Sequence, residues 1–356
     1  MKKSASSRRL ATLTLGAVPV VLLGGLISID RIPGTDISLT VPYAAEGPGP
    51  TVDTLSEVEG KQVVDVQAPQ VDDPAGQLNM TTVSVRSRMT LSQALSRWLL
   101  TDDTLVPIEQ VIPPNHSPEE VEEANAALFL QSESAATLAA MDYLDKPVKV
   151  VVAQVLDDGA AKDAVALEDV IRAIDGQEVT KPQQVQNIIR SKKPGDEVTL
   201  EVENRSGDKR EEKVILGEHP RDKKIPMLGI SMTSAPEDDI KVSYNLQDIG
   251  GPSAGMMFTL AVVDKLEEGD LTGGKFVAGT GTIDEDGKVG EIGGIVHKVR
   301  AAKDAGAELF LAPDGNCAEA TSRDYGDMTI AKVATLDDAV KAMEDFAAGR
   351  PVATCD

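Results

Sequence analysis

Aromatic side chains are scarce in this chain: five Phe, four Tyr and one Trp among 356 residues. A core must therefore rest on Val, Ile, Leu, Ala and Met, and a hydrophobic content of 41% is enough for a mostly globular chain. Histidine is rarer still, with only His116, His219 and His297. No cluster of Cys or His has metal-ligand spacing, so no metal and no metal-dependent chemistry is expected. Cations are outnumbered, 35 Lys and Arg against 58 Asp and Glu, which leaves a net charge of -23. A field of that sign repels nucleic acid and anionic lipid, and excludes both as the main partner. Internal repeats and low-complexity tracts are also lacking. The length suffices for two ordinary domains.

Charge is absent from one long run, Leu10 to Ile29, "LATLTLGAVPVVLLGGLISI". It matches the ~20 apolar residues that cross a bilayer. Lys2, Lys3, Arg8 and Arg9 precede it and Asp30 follows it, which places residues 1–9 in the cytoplasm and the rest outside. The alternative is a cleaved signal peptide. Such peptides usually carry ~7–15 apolar residues with a small-residue cleavage site close by. Here the nearest candidate, Ala44 and Ala45, lies far downstream. The run reads as an uncleaved, single-pass anchor over residues 10–29. An external location favours disulfides, so Cys317 and Cys355 are expected to pair and pin the C-terminus. The other reading is two free thiols.

Residues 30–50 are rich in Pro and Gly and read as a linker. Residues 51–141 mix a strand, "LNMTTVSV", with two helices. One is "TLSQALSRWLL"; the other follows Ser117 and Glu120, spaced as a capping box. Residues 142–218 have the order of a small α+β module. "VKVVVAQVL" opens it, "LEDVIRAIDGQEV" ends in an Asp-Gly turn, "KPQQVQNIIRS" is amphipathic, and two alternating strands flank an Arg-Ser-Gly-Asp turn. Residues 219–356 alternate strands and helices in mixed α/β fashion.

The module resembles a PDZ domain, chiefly through "LEDVIRAIDGQEV". Glu168 stands where that family usually has glycine. The family's Gly-Leu-Gly-Phe loop, which holds a peptide carboxylate, is expected to be missing, with "DKPVKVVV" in its place. PDZ domains bind peptides by strand addition. The groove is expected between Lys149–Gln154 and Gln183–Arg190. The alternative is a spacer that binds nothing.

The stretch "NLQDIGGPSAGMMFTL" (Asn245–Leu260) carries the first chemical candidate. Gly250 and Gly251 permit a tight turn, Pro252 suits a first helical turn, and an apolar helix follows. Ser253 then sits at the start of a buried helix, where free amides can hold an oxyanion. It is either a nucleophile or a capping serine. A nucleophilic serine needs a base. In "GGIVHKVRAAKDAGA" a period of ~100° per residue puts Lys298 on the apolar face with Ile295, Val299 and Ala302. His297 is expected on the opposite side, toward water. Desolvation favours a neutral lysine, a competent base for serine; the alternative is that Lys298 snorkels to the surface.

"GGPSAG" and "GEIGGIVHKVRAAKDAGA" together resemble the two active-site motifs of the Lon protease domain. The resemblance implies Ser253 as nucleophile and Lys298 as general base. It also implies supporting roles for Thr280 in "AGTGTI", for Asp248, and for Gly251, Pro252 and Ala254 around the serine. "GQLNMTTVSV" and "FLQSESAATLAAMDYL" resemble the first half of the same domain, so the PDZ-like module is expected to interrupt it. The whole order resembles the membrane-anchored, PDZ-containing Lon-like proteases of bacteria.

The expected fold is thus a mixed α+β Lon-type proteolytic domain with a PDZ-like module and one N-terminal transmembrane helix. The expected activity is that of a serine endopeptidase on polypeptides of the membrane or the exterior. Lon domains often form rings, so a homo-oligomer is a further expectation. Nucleotide is not expected. "GDLTGGKF" (269–276) ends in Phe276 where a phosphate loop needs Ser or Thr, and it leads from a helix into a strand. "GTGTID" has Asp284 at the third glycine of a dinucleotide motif. No cofactor follows. Two other readings remain: an inactive protease fold serving as a PDZ adaptor or chaperone, and a Ser-His-Asp hydrolase using His297 or His219.

Overall fold

The computed structural model describes residues 17, 19, 23–220, 222–237, 240–246 and 250–355. The cytoplasmic tail expected over residues 1–9, and most of the anchor expected over 10–29, lie outside these. Among the described residues no helix is long and apolar enough to cross a membrane.

Two six-stranded sheets organise the chain. The first takes strands from both halves of the sequence, in the order β11-β10-β9-β2-β1-β3. These are β1 (Tyr43–Asp53), β2 (Gln77–Arg86), β3 (Thr104–Pro107), β9 (Phe276–Gly279), β10 (Leu309–Pro313) and β11 (Thr329–Val333). The seam between the halves is parallel, Phe276 to Gly279 running beside Gln77 to Met80. About two hundred residues separate these partners, so the segments before and after the PDZ-like module fold as one unit.

The linker expected over residues 30–50 is shorter than that, because β1 begins at Tyr43. Its Ala44 and Ala45 are buried in the sheet. Pro48 and Pro50 disguise the strand in the sequence. They are tolerated because β3 pairs only with Tyr43–Glu46, and because the register against β2 shifts between Pro48 and Thr51.

Helix α1 (Leu91–Leu100) and helix α2 (Pro118–Tyr143) start where the sequence places them. Both carry full capping boxes, Thr90 with Gln93 and Ser117 with Glu120. Helix α2 packs against helix α4 (Gly255–Leu266), and the contact is anchored by an edge-to-face Phe129–Phe258 pair at 5.6 Å. Helix α4 is buried from Gly255 through Lys265. With five Phe in the chain, Met256, Met257 and Leu260 complete this core, and all three are fully buried.

The second sheet is β7-β6-β5-β4-β8 with a short side pair. It comprises β4 (Val148–Val155), β5 (Val170–Ile174), β6 (Glu197–Glu203), β7 (Lys209–Ile215) and β8 (Ile230–Pro236). Helix α3 (Pro182–Arg190) covers it through Val185 and Ile189. The "IDGQEV" turn has Asp175 and Gly176 at φ 51° and 73°, the two positive values that a tight hairpin turn requires. Glu168 also adopts a positive φ, 68°, which explains why glycine is usual there. Its carboxylate pairs with Arg205.

The module does not close at residue 218. Strand β8 was expected to open the catalytic part, but it pairs antiparallel with β4 from Ile230↔Val155 to Pro236↔Val148. Sheet neighbours need not be sequence neighbours, and nothing in the alternation of "LGISMTSA" names its partner.

Near the C-terminus Cys317 and Cys355 are joined in a disulfide across 38 residues. The tail it holds lies along β11, with Cys355 N donating to Ile330 O and Lys332 N to Ala353 O. Replacing both cysteines with serine is expected to destabilise the fold by ~2–4 kcal/mol, read as a lower denaturation midpoint. An unchanged midpoint refutes a stabilising role.

Candidate active site

The turn Gly250–Ala254 leads into α4 and is held from two sides. Gly251 N, at φ 87°, donates to Asn125 O at 3.0 Å, and Ser132 Oγ donates to Pro252 O at 3.0 Å. Both partners sit on α2. From the other side Gly281 N donates to Ser253 O at 2.9 Å and Thr280 Oγ1 donates to the same oxygen at 3.0 Å. Close approach explains the glycine at the helix start. A Cβ on Gly255 would lie 2.8 Å from Ser132 Oγ and 2.9 Å from Ile283 Cγ2.

Ser253 is not a capping serine. The N-cap of α4 is Ala254, and no side chain caps that helix. Its hydroxyl instead meets the base candidate: Lys298 Nζ lies 2.7 Å from Ser253 Oγ. The same nitrogen lies 3.0 Å from Thr280 Oγ1. Thr280 is fully buried and commits its one proton to Ser253 O while accepting from Lys298.

Lys298 belongs to helix α5 (Ile295–Ala305), which begins after Gly294 at φ 68°. A Cβ on Gly294 would lie 2.8 Å from Val83 Cγ2, so glycine lets the helix start against β2. The lysine is 3% exposed. Burial pushes its pKa from 10.5 down to about 8. It lies in the first turn, where the helix dipole also disfavours positive charge. Lys265 is a useful contrast. It is buried too, and burial lowers its pKa, but four acids (Asp65, Asp73, Asp53 and Asp264) pull the other way, and its ammonium is bound by Val64 O at 2.7 Å and Gln62 Oε1 at 3.0 Å. Lys265 is a structural cation; Lys298 is offered only hydroxyls.

A cleft of about 560 Å³ opens on this pair. One wall is β2 from Met80 to Val85, another is the turn Gly250–Ala254, and a third is Glu291 to Gly293. Strand β9 stops at Gly279, beside Met80, whereas β2 continues to Arg86. One edge of β2 therefore faces the cleft beyond the end of its neighbour. Among the described residues the amides of Ser253 and Ala254 have no backbone acceptor.

His297 departs from its expectation. It is 3% exposed, not turned toward water. Helix α5 is hemmed in by β1, β2 and β9 and by the short helix Cys317–Ala320, so little of it is left to solvent. Burial lowers the His297 pKa, and so does the Arg323 charge; Asp103 and Asp102 act in the opposite direction. It does not line the cleft. Asp248 lies outside the described residues. Residues 269–275 form a loop that leads from α4 into β9 at Phe276, and Thr272 Oγ1 lies within hydrogen-bond distance of Ala75 O and Asp270 Oδ1. Sequence reasoning missed Ser132. Its only trace is the series Ser132, Ala136 and Ala140, small residues one helical turn apart and all buried.

The peptide groove is also displaced from its expected place. Strand β4 is paired on both edges, with β5 and β8, so no strand can add to it. The edges of this sheet are β7 and β8, and helix α3 lies beside β8. Between them is a depression of about 180 Å³, lined by Val185, Ile189, Leu228, Ile230 and Met232 among others. Met227-Leu228-Gly229-Ile230 leads into this edge and carries a Leu-Gly pair, whereas "DKPVKVVV" leads into β4. A second cavity continues from it. Gln186 and Met232 line both, and the second is also lined by Ser132 and Pro252. Pro252 in turn lines the cleft that holds Ser253.

Residues 120–216 match the PDZ domain family, and residues 228–344 match the Lon protease (S16) C-terminal proteolytic domain. The second match includes β8, which the hydrogen bonds assign to the PDZ sheet; the bonds decide its place in the structure. A probable periplasmic serine endoprotease DegP-like from Pseudomonas fulva is 38% identical over 80 residues, 22% of this chain. The chain spans 16% of that relative's length. The PDZ domains of SdrC-like proteins from Listeria monocytogenes and Listeria innocua are each 28% identical. They cover 23% and 24% of this chain and 85% and 92% of their own, each with a TM-score of 0.22. The chain thus contains a PDZ domain and a Lon-type (S16) C-terminal proteolytic domain.

Proposed function

We propose that the protein is an ATP-independent endopeptidase with a Ser253–Lys298 dyad. In this reading it is held to a bacterial membrane by its N-terminal apolar run, and the dyad lies on the outer side. The observation that carries the chemistry is a buried lysine nitrogen 2.7 Å from a hydroxyl that caps nothing. Neutral Lys298 takes the Ser253 proton as Oγ attacks the peptide carbonyl. The resulting ammonium gives that proton to the departing amine, and the acyl-enzyme is hydrolysed by water that Lys298 activates in the same way. Thr280 keeps Nζ aimed at Oγ. The amides of Ser253 and Ala254 are the donors offered to the oxyanion. An extended substrate fits beside the open length of β2.

The substrates proposed are polypeptides with an extended segment seated between β8 and α3. A chain leaving that groove passes Gln186 and Met232 toward Pro252, one residue from the nucleophile. Met232→Asp is expected to raise KM several-fold for a long unfolded polypeptide and to leave short-peptide cleavage unchanged. Equal losses on both substrates would show that the groove plays no part in presentation.

The dyad is tested by incubating the protein, without nucleotide, with an acylating active-site probe and mapping the adduct. Labelling on Ser253 that requires Lys298 supports the proposal. Absence of labelling together with absence of cleavage of unfolded protein makes it an adaptor and ends the catalytic reading.

A further inference from the structure

Helix α1 is not used by the mechanism, and it exposes several large apolar side chains. Leu91, Leu95, Trp98 and Leu99 are 43%, 40%, 62% and 65% exposed. At ~100° per residue these four fall within about 100° of the helix circumference. Leu100 is exposed at the C-terminal end, outside this stripe. Beside the stripe the helix is anchored: Ala94 is buried in a cluster with Ala45 and Met89. The face is therefore a fixed part of the fold, and among the described residues it has no partner.

Three observations say what covers it. First, the start of α1 is tied to the end of the 20-residue apolar run. Ser92 N donates to Ile27 O at 3.0 Å, and Val41 N donates to Met89 O at 2.9 Å. A chain leaving a bilayer near Ile29 would place α1 beside the lipid surface. Second, α1 carries no acidic residue, in a chain with 58 of them; its single charge, Arg97, is paired with Asp103 at 3.2 Å. Third, the only tryptophan of the chain, Trp98, belongs to the stripe. Tryptophan is favoured at the membrane–water boundary.

We propose that this face of α1 docks in the interfacial layer of the membrane that the apolar run enters, with its apolar side chains ~5–10 Å into the headgroup–acyl boundary. The inference rests on the anchored reading of residues 10–29. It adds a second contact that fixes the orientation of the cleft relative to the bilayer, since β1, which supports α1, belongs to the sheet that carries β2. The net charge argues for contact with zwitterionic lipid through apolar atoms and not through charge.

Trp98 is a native probe of this contact. The full chain is reconstituted with phosphatidylcholine vesicles whose acyl chains carry bromine. The expected result is that the protein floats with the vesicles, that Trp98 emission is largely lost to bromine, and that aqueous iodide has little effect. The double variant Leu95→Gln with Leu99→Gln is expected to float equally but to recover emission and become open to iodide. Flotation with Trp98 open to iodide and blind to bromine overturns the docking and leaves the anchor standing. Failure to float overturns the anchor, and the docking with it. Shielding from iodide that grows with protein concentration, without bromine quenching, assigns the face to a second copy and overturns the lipid proposal.

Discussion

Ser253→Ala is expected to lower kcat on unfolded polypeptide by on the order of 10⁵-fold or more, with the fold intact. The size of the loss follows from the geometry. Covalent catalysis needs the one oxygen that Lys298 reaches at 2.7 Å, and alanine removes it. The backbone of the turn does not depend on that hydroxyl. It is held by Gly281 N, Thr280 Oγ1, Ser132 Oγ and Asn125 O, none of which touches the Ser253 side chain. The variant should therefore keep the wild-type circular dichroism spectrum and denaturation midpoint while losing turnover and probe labelling together. Turnover within tenfold of wild type would remove Ser253 from the mechanism.

The burial of Lys298 was legible in the sequence because helical phase is a local property. Lys298 shares a face with Ile295, Val299 and Ala302 whatever the fold around it. The same logic failed for His297, because phase says which side a residue takes and not how many sides are covered. The strands β1, β2 and β9 and the Cys317–Ala320 helix together leave α5 little open surface. Strand β1 was hidden by Pro48 and Pro50, which local rules read as a loop. Only the missing third strand on that part of the edge makes them harmless. The peptide groove was misplaced for a related reason. The edge of a sheet is set by strand order in space, and β8 joins β4 across some seventy-five residues of chain. What the sequence does show clearly is the set of glycines at the site, and the structure gives the reasons. Gly255 lets α4 pass under Ser132, and Gly294 lets α5 start against Val83.

Lys298→Met is expected to abolish turnover as Ser253→Ala does, yet to make the protein more stable at pH 7. Burial holds the Lys298 pKa at about 8, down from 10.5. A base whose folded pKa lies below its unfolded value weakens the fold where it is protonated in both states, and stability recovers with rising pH wherever the unfolded state holds more protons. That penalty is fully present below pH 8, and it fades as pH rises from about 8 toward 10.5. At ~1.4 kcal/mol per unit the shift corresponds to roughly 3 kcal/mol. The lost contacts of Ser253 Oγ and Thr280 Oγ1 offset part of this. Urea denaturation of both proteins at pH 7 and again at pH 9.5 reads the effect: the variant should lead at the lower pH, and the gap should narrow at the higher. The same ionisation governs catalysis. With a pKa of about 8, roughly a tenth of the lysine is neutral at pH 7, so kcat/KM of the wild type should climb nearly tenfold to a plateau above pH 9, through one ionisation with its midpoint near 8. A midpoint near 6.5 that disappears on replacing His297 would transfer the role of base to the histidine. A variant less stable than wild type at both pH values would mean that the ammonium is better satisfied in the fold than two hydroxyls allow.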